Sequence, residues 1–273
     1  MPYRLAAFAD EISTDIQVQM DHLLENGVNL CCMRGANGKG VLEFEDFQVP
    51  LMKSQFFNRG IRFSGIGSPI GKVPISAPFE PELERLKLAC KRAKQFEAKA
   101  IRVFSFYIPE GDAPAKHRDE VIRRMQALAG QAKTEGLNLL LENEAQLYAD
   151  TPDRCVDLHA SVNAPNLMAT FDFANFVTVG EDPMPAWPKL KKWVKEFHIK
   201  DFSAASKQTV VAGQGDGRIK EILADAFQNN WAGLLTLEPH LSKTDGFKEL
   251  DGGKRFKAAV EALKGLLAAI GAK

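Results

Sequence analysis

Four residues that could hold a divalent cation close four successive apolar runs in the second half of the chain. They are Glu142, Asp172, His198 and Glu238. Three carboxylates brought together with an imidazole in a partly buried position repel one another unless a cation neutralises them. Oxygen-rich ligation with one histidine suits Mn²⁺ best, with Mg²⁺, Co²⁺ and Zn²⁺ as alternatives. We therefore expect one divalent metal ion. For any one of the four alone, the alternative is a polar strand end without a ligand.

The apolar runs that these residues close are typical of parallel strands buried on both faces. There are eight such runs, at residues 4–9, 28–33, 61–66, 100–105, 137–142, 167–172, 194–199 and 233–238. Stretches with charges at helical spacing separate them, for example residues 80–97 and 116–133. A glycine precedes several strands, as at Gly27, Gly60 and Gly136, where it is expected to end the preceding helix.

Eight strand–helix units at intervals of about 30 residues predict an α/β protein with a closed (β/α)8 TIM barrel. A doubly wound open sheet is the alternative, but a glycine-rich fingerprint would usually follow its first strand, where this chain has Ala-Asp-Glu-Ile-Ser. No linker divides the chain, so we expect a single domain over residues 1–273. Barrel active sites lie at the carboxyl ends of the strands, which would bring the four metal-binding candidates to one rim.

Further charged residues near strand ends are candidates for substrate binding. They are Lys72, Arg102, Glu144, Lys200 and His240. The three cations suit a phosphate or carboxylate of a substrate, or else form structural ion pairs with the rim carboxylates. His240 lies two residues past Glu238 and would point the same way on an extended strand; a hydrogen-bonded loop histidine is the alternative. The glycine-rich residues 213–217 suit a phosphate cradle, a mobile lid or a plain loop.

Charge and composition exclude several classes of partner. Lysine plus arginine total 35 and aspartate plus glutamate total 35, so the formal net charge is zero. Nothing attracts the chain to nucleic acid or to an anionic membrane. No run reaches the roughly 20 apolar residues of a membrane span, and the apolar run at the N-terminus is too short for a signal peptide. The four cysteines lack metal or disulfide spacing. We expect a soluble cytoplasmic protein that acts on a small molecule, with a homo-oligomer as a further expectation.

Several sequence motifs, taken together and in their order along the chain, resemble those of a known family. They are ADEIS, GIGSPIGKV, IRVFSFY, LLLENE, TFDFANF, FHIKDF, VVAGQGDG and LTLEPHL. Together they resemble the xylose-isomerase-like barrel superfamily of sugar and sugar phosphate isomerases and epimerases, over nearly the whole chain. The resemblance implies that Glu142, Asp172, His198 and Glu238 hold the metal. It also implies that Glu142 and Glu238 are the catalytic acid/base pair.

The activity implied is a metal-dependent sugar or sugar phosphate isomerase or epimerase. Its two glutamates would transfer a proton through an enediolate. A metal-dependent lyase or hydrolase on a sugar-like substrate is the alternative. A DNA-repair endonuclease barrel would need more histidines at the rim, and a non-catalytic sugar-binding barrel would not need both glutamates.

The chain departs from the family pattern at two positions. The residues before Arg34 are Cys-Cys-Met, where relatives often carry an acidic residue. Asn175 stands three residues past Asp172, where many epimerases place a histidine. These departures leave the contact at Arg34 and the epimerase specificity open, whereas the metal site is unaffected.

Overall fold

A closed barrel of eight parallel strands forms the centre of the computed structural model, which describes residues 3–272. The strands are β1 (Tyr3–Ala7), β2 (Leu30–Met33), β3 (Arg62–Gly67), β4 (Ala100–Val103), β5 (Asn138–Glu142), β6 (Leu167–Asp172), β7 (Val194–Ile199) and β8 (Gly233–Leu237). Each pairs with its neighbour in chain order, and β1 pairs with β8 to close the ring. The predicted TIM barrel is confirmed. Met1, Pro2 and Lys273, at the ends of the expected single domain, lie outside the described residues.

All eight predicted strands are present, and β6 and β7 have the predicted bounds. The other predicted bounds lie within two residues of the observed ones. β4, for example, ends at Val103 instead of residue 105. The amides of Phe104 and Phe106 donate to Ile70 and Gly71 in the loop after β3 rather than to a neighbouring strand. This exchange of partners ends the strand early and joins two loops of the carboxyl rim.

Helices follow every barrel strand, as the alternating pattern predicted. They are α1 (Ile16–Glu25), α2 (Gln48–Asn58), α3 (Glu80–Gln95), α4 (Arg118–Thr134), α5 (Pro152–Val162), α6 (Phe173–Thr178), α7 (Pro183–Leu190), α8 (Ile219–Gln228) and α9 (Gly252–Ala269). The glycines at positions 27, 60 and 136 have φ angles of 73°, 80° and 70°. Each provides the left-handed conformation that ends a helix before the next strand. Within residues 3–272, no helix is long and apolar enough to cross a membrane.

Alternation along the strands divides the side chains between the barrel interior and the surrounding helices. On β7, Phe197 points outward and packs against Trp231, which lies in the loop between α8 and β8. Their ring centroids are 4.7 Å apart. Glu196 and His198, on either side of it, therefore share the interior face. The four cysteines are buried and free of disulfide bonds, as the sequence predicted.

Candidate active site

The four predicted metal ligands meet at the carboxyl end of the barrel interior. Nδ1 of His198 lies 3.2 Å from Oε1 of Glu142, 3.1 Å from Oε2 of Glu238 and 3.9 Å from Oδ2 of Asp172. One potential ligand atom from each residue falls within 4.8 Å of all the others. The register explains this convergence, because Asp172 pairs with His198 on neighbouring strands and all four residues lie at or next to the carboxyl ends of their strands.

The donor set fits a divalent cation. All four side chains are buried, yet Oε2 of Glu142, Oδ2 of Asp172, Oε2 of Glu238 and Nδ1 of His198 have no well-aligned hydrogen-bond partner among the described residues. Buried polar atoms normally have partners. Here Lys200 and Arg102 approach two of the oxygens, and the four atoms otherwise face one another, as the ligands of a cation do. Three carboxylates and one imidazole nitrogen are ligands that Mn²⁺, Mg²⁺ and Zn²⁺ accept.

The protonation states show how strongly the cluster attracts positive charge. Burial raises the pKa of Asp172 to about 6, although Lys200 opposes the shift. Burial also raises the pKa of Glu142, but the adjacent His198 and Arg102 together outweigh it and hold the pKa of Glu142 at about 2. Burial lowers the pKa of His198, and the adjacent Glu142 and Glu238 reverse this and raise it well above its usual value.

Two of the predicted substrate-binding cations instead contact the carboxylates of the predicted metal site. Nζ of Lys200 lies 2.8 Å from Asp172 and 3.7 Å from Glu238. Nη1 of Arg102 lies 3.1 Å from Glu142 and 3.7 Å from Glu238. Both cations are buried. Of the two interpretations that the sequence left open, the contacts match that of ion pairs with the rim carboxylates.

Arg34, whose role the sequence left open, is bound to three carboxylates. Its guanidinium donates to Asp10 at 2.7 Å, to Glu11 at 3.3 Å and to Glu238 at 2.7 Å. The ring of Phe8 lies beneath it, 4.6 Å from the guanidinium carbon. This fork fixes the orientation of Glu238 through its Oε1, whereas Lys200 approaches Oε2, so Arg34 contacts the site that its place in the family pattern left open.

His240 reaches the site by a different route from the one predicted. It adopts a left-handed conformation with φ of 49° after β8 ends at Leu237, so the expectation of an extended continuation is wrong. Its Nε2 nevertheless lies 3.0 Å from Glu11 and 3.5 Å from Glu238. Burial lowers the pKa of His240, but hydrogen bonds to these glutamates outweigh this and raise it to about 9.

A cavity of about 540 Å³ opens above the four ligands. Glu142 and Glu238 form part of its floor, and Lys72 and Glu144 part of its wall. Nζ of Lys72 lies 2.8 Å from Glu144, and both side chains are partly exposed to the cavity. The residues predicted to bind substrate therefore do face a space where a small molecule fits.

Two asparagine side chains form hydrogen bonds with Asp172 and Glu142, two of the predicted metal ligands. Asn143 accepts a hydrogen bond from the amide of Asp172 and donates to its carbonyl. Asn175 donates to Oε1 of Glu142 at 3.3 Å and to the carbonyl of Asn143 at 2.9 Å. The residue that departs from the epimerase pattern thus supports a predicted ligand, which the sequence alone did not show.

The glycine-rich residues 213–217 do not offer a free phosphate cradle. The carboxylate of Asp201 accepts hydrogen bonds from the amides of Gly213, Gly215 and Gly217 at 2.8, 3.0 and 2.9 Å. A Cβ atom on Gly215 would approach this carboxylate to 2.4 Å. The chain therefore provides its own anion for this cradle, and the interpretation as a phosphate site is wrong.

Glu196 is a further buried carboxylate that sequence reasoning missed. It lies beneath His198 inside the barrel, with Oε2 3.8 Å from Nε2 of the imidazole. The available signal was alternation, because a residue two positions before an inward-facing histidine also faces inward. A glutamate in that position is unusual for a barrel core, which is normally filled by branched apolar residues.

Comparison with known proteins agrees with the barrel fold. The sequence model of the xylose isomerase-like TIM barrel family matches residues 26–266. The chain belongs to this family. The resemblance found in the sequence motifs is thereby confirmed.

Two relatives with named activities differ in the reaction they carry out. A 3-dehydroshikimate dehydratase of Bacillus anthracis is 26% identical over 133 residues, which cover 49% of this chain and 48% of that protein. A fructoselysine 3-epimerase of Escherichia coli O157:H7 is 24% identical over 159 residues, which cover 57% of this chain and 58% of that protein. The chain thus spans about half the length of these relatives. The family includes both epimerases and dehydratases.

Solved structures share the fold over the whole chain. The probable 3-DHS dehydratase AsbF of Bacillus anthracis has a TM-score of 0.77 at 19% identity, covering 97% of this chain and 99% of that one. The IOLI protein, solved with a zinc atom, has a TM-score of 0.81 at 13% identity, covering 98% and 99%. A barrel from Mycobacterium smegmatis in complex with magnesium has a TM-score of 0.69 at 18% identity, covering 97% of each.

Proposed function

We propose that the protein is a divalent-metal-dependent isomerase or epimerase of a small sugar or sugar-like compound. It would move a proton on the carbon beside a carbonyl group. One observation carries this proposal: four buried residues direct potential ligand atoms to one point, and two of them, Glu142 and Glu238, also line the cavity. The same two carboxylates would bind the metal and exchange protons with a bound substrate.

Glu142, Asp172, His198 and Glu238 would hold the metal, and we propose Mn²⁺ because three of the four ligands are oxygen donors. When bound, the cation supplies the Lewis acidity that makes a proton beside a substrate carbonyl easier to remove. Zinc in one structural relative and magnesium in another support a divalent ion in this fold. Four buried cysteines without disulfides are consistent with the reducing cytoplasm, where we place the protein.

Glu142 and Glu238 would act as the acid/base pair. They come from β5 and from the end of β8, on different sides of the barrel opening. Arg102 contacts both carboxylates, and Arg34 contacts Glu238. Arg102 helps to lower the pKa of Glu142, and Lys200 and His198 lower that of Glu238, so both glutamates are ionised and able to accept a proton. The cations would also stabilise negative charge that develops on the substrate. One glutamate would remove the proton and the other return it, which moves a carbonyl or inverts a stereocentre.

The cavity limits the substrate to a small molecule. A volume of about 540 Å³ lies within the range of small-ligand sites. Polar side chains converge on it from several strands, including Lys72, Glu144 and His240. Such a lining provides hydrogen-bond partners for a polyhydroxylated compound, as a sugar requires.

A dehydratase is the second candidate, and His240 favours it. A dehydratase removes the same kind of carbon-bound proton but then expels a hydroxyl group from the neighbouring carbon, which needs a proton donor. His240 lines the cavity, and its pKa of about 9 keeps it protonated at neutral pH. The dehydratase of Bacillus anthracis is among the sequence relatives.

Proton exchange distinguishes the two candidates. Metal-stripped protein is reloaded with Mn²⁺ and incubated in D₂O with a panel of ketoses, ketose phosphates and hydroxylated cyclic ketones. A chelator then removes the Mn²⁺ before proton NMR. Loss of the signal beside the carbonyl, with the hydroxyl groups retained, identifies an isomerase or epimerase. Loss of water with new absorbance from a conjugated double bond identifies a dehydratase. Metal binding without exchange on any member would contradict the two-glutamate scheme for these substrates.

A further inference from the structure

We propose that Glu196 is a positioning residue that fixes the ring of His198 for metal binding. It would accept a hydrogen bond from the Nε2–H group and so leave the Nδ1 lone pair directed at the metal. This inference rests on the proposed metal site but concerns a residue outside the ligand set.

The two side chains lie one above the other inside the barrel. Glu196 and His198 are two residues apart on β7 and share its inward face. Both are buried, and Nε2 of the imidazole lies 3.8 Å from Oε2 of Glu196. Nε2 has no hydrogen-bond partner among the described residues. A small rotation of the ring toward the carboxylate would bring the two atoms into hydrogen-bond contact.

Glu196 lies in a polar layer that repeats the layer of ligands one step deeper. Thr170 and Thr236 stand two residues before Asp172 and Glu238, just as Glu196 stands two residues before His198. The Thr170 hydroxyl donates to Oε2 of Glu196 at 3.1 Å, and the Thr236 hydroxyl donates to Oε1. The threonines therefore fix the carboxylate in place from both sides.

The charge of Glu196 requires a partner that the threonines do not supply. An ionised carboxylate is costly to bury unless a positively charged or strongly polarised group pairs with it. Within residues 3–272, the only basic group within 4.0 Å of its oxygens is the imidazole of His198. A metal on Nδ1 would polarise the imidazole and make its Nε2–H group a stronger donor to this carboxylate.

The opposite side of the imidazole is also constrained. The ring of Phe8 meets it edge to face, with centroids 5.1 Å apart and an angle of 87° between planes. The apolar contact offers no hydrogen bond to either nitrogen. Nδ1 faces the three ligand carboxylates and Nε2 faces Glu196, so the fold distinguishes the two nitrogens. Glu196 would thereby select the tautomer that binds metal through Nδ1.

The first test compares two identical substitutions at two buried glutamates. Glu196→Gln removes the charge beneath His198, whereas Glu82→Gln makes the same change at an equally buried carboxylate bonded to Gly71 and Arg85. Zn²⁺ binding to the metal-stripped full chain is measured by competition with a chromogenic chelator. We expect Glu196→Gln to weaken Zn²⁺ binding by about 10-fold or more and Glu82→Gln by less than about twofold. Equal affinity of Glu196→Gln and wild type would overturn the proposal.

The second test needs no variant at Glu196. Long-range ¹H–¹⁵N spectra of the Zn²⁺-loaded wild type, with His198→Gln for assignment, report which imidazole nitrogen carries the proton. A proton on Nε2 that exchanges slowly with solvent supports the proposal, and a proton on Nδ1 overturns it even if Glu196→Gln does not fold. Failure of the wild type to bind Zn²⁺, Mn²⁺ or Mg²⁺ would instead reject the proposed function itself, together with any positioning role built on it.

Discussion

Arg34 and Glu238 lie 204 positions apart in the chain, yet Nη1 of the arginine donates to Oε1 of the glutamate at 2.7 Å. The same guanidinium binds Asp10 and Glu11. The planar guanidinium presents several donors in a fixed fork, which suits this arrangement better than the single nitrogen of an ammonium group. Arg34 thus links the first strand, the second strand and the proposed base at the end of the eighth.

We predict that Arg34→Lys retains the fold but lowers kcat/KM by about 10- to 100-fold, because Glu238 loses its fixed orientation. Steady-state kinetics on the substrate found by the exchange assay provide the measurement. The matched control is Arg85→Lys, which changes an arginine on the same cavity wall that pairs with Glu82 instead of a proposed base. Equal effects of the two substitutions would argue against a special role for Arg34.

Substitution of either proposed base should separate proton transfer from folding. Glu142→Gln and Glu238→Gln keep the shape of the side chain but remove the group that accepts the proton, so exchange in D₂O should fall by about 10²- to 10⁴-fold. Zn²⁺ binding is measured in parallel, since each variant also loses a charged ligand. Full activity of either variant with metal bound would show that this glutamate is not a base.

Metal binding should stabilise the protein. Three buried carboxylates lose their mutual repulsion when a divalent ion binds, and a ligand at a thousandfold excess over its Kd adds about 4 kcal/mol to the free energy of unfolding. We expect Mn²⁺ to raise the Tm of metal-stripped protein by on the order of 10 °C. Differential scanning calorimetry measures this change, and Asp172→Asn should reduce it. No change in Tm with Mn²⁺, Mg²⁺, Co²⁺ or Zn²⁺ would contradict the proposed metal site.

Much of the fold and the metal-binding cluster followed from two properties of the sequence. Eight apolar runs specify buried parallel strands, and a barrel brings all their carboxyl ends to one rim, so Glu142 and Asp172 had to lie near each other. The contacts that tune the site were harder to predict. The pairing of Arg34 with Glu238 depends on loop conformation, and the position of His240 depends on a single left-handed residue. Neither of these two features produces a hydrophobic pattern in the sequence.

Loop residues 213–217 show a different limit of prediction from the sequence. Glycines at alternate positions indicated a ring of free amides, and the amides do converge, but on the chain's own Asp201. Spacing identifies the donors of such a cradle and not the acceptor. Glu196 shows the opposite limit. Alternation along β7 places it inside the barrel, but a buried charged residue is too rare to be expected there from the pattern alone.

His159 should make stability depend on pH outside the active site. It is buried on α5 against Trp193, with ring centroids 5.2 Å apart, and burial lowers the pKa of its imidazole to about 4. The unfolded chain, with a pKa near 6.5, binds a proton between about pH 4 and 6.5 that the folded chain does not. Stability should therefore fall as the pH falls through this window.

The measurement is the free energy of unfolding of the wild type and of His159→Phe at several pH values from 4 to 7. Phenylalanine keeps the aromatic contact with Trp193 but has no proton to gain. The wild type should lose roughly 2 to 3 kcal/mol more than the variant between pH 7 and pH 4. Parallel pH profiles for the two proteins would show that His159 is not the titrating group.

Asp201 should stabilise the loop after β7 through its charge. Its buried carboxylate accepts hydrogen bonds from three glycine amides, and bonds to a charged acceptor contribute about 1.5 to 3 kcal/mol each. Asp201→Asn replaces one acceptor oxygen with an NH₂ group that faces amide donors. We predict a loss of about 3 kcal/mol in the free energy of unfolding, or faster proteolytic cleavage within residues 203–217 if only the loop opens.

Asp216→Asn provides the matched control, because this exposed carboxylate in the same loop accepts a single hydrogen bond, from the amide of Ala204 at 2.8 Å. Its substitution should cost less than about 1 kcal/mol. Urea unfolding and limited proteolysis of both variants distinguish a loop held by Asp201 from one held by its other contacts. If both substitutions have the same small effect, the glycine amides are satisfied by water when the carboxylate is absent, and Asp201 does not determine the loop conformation.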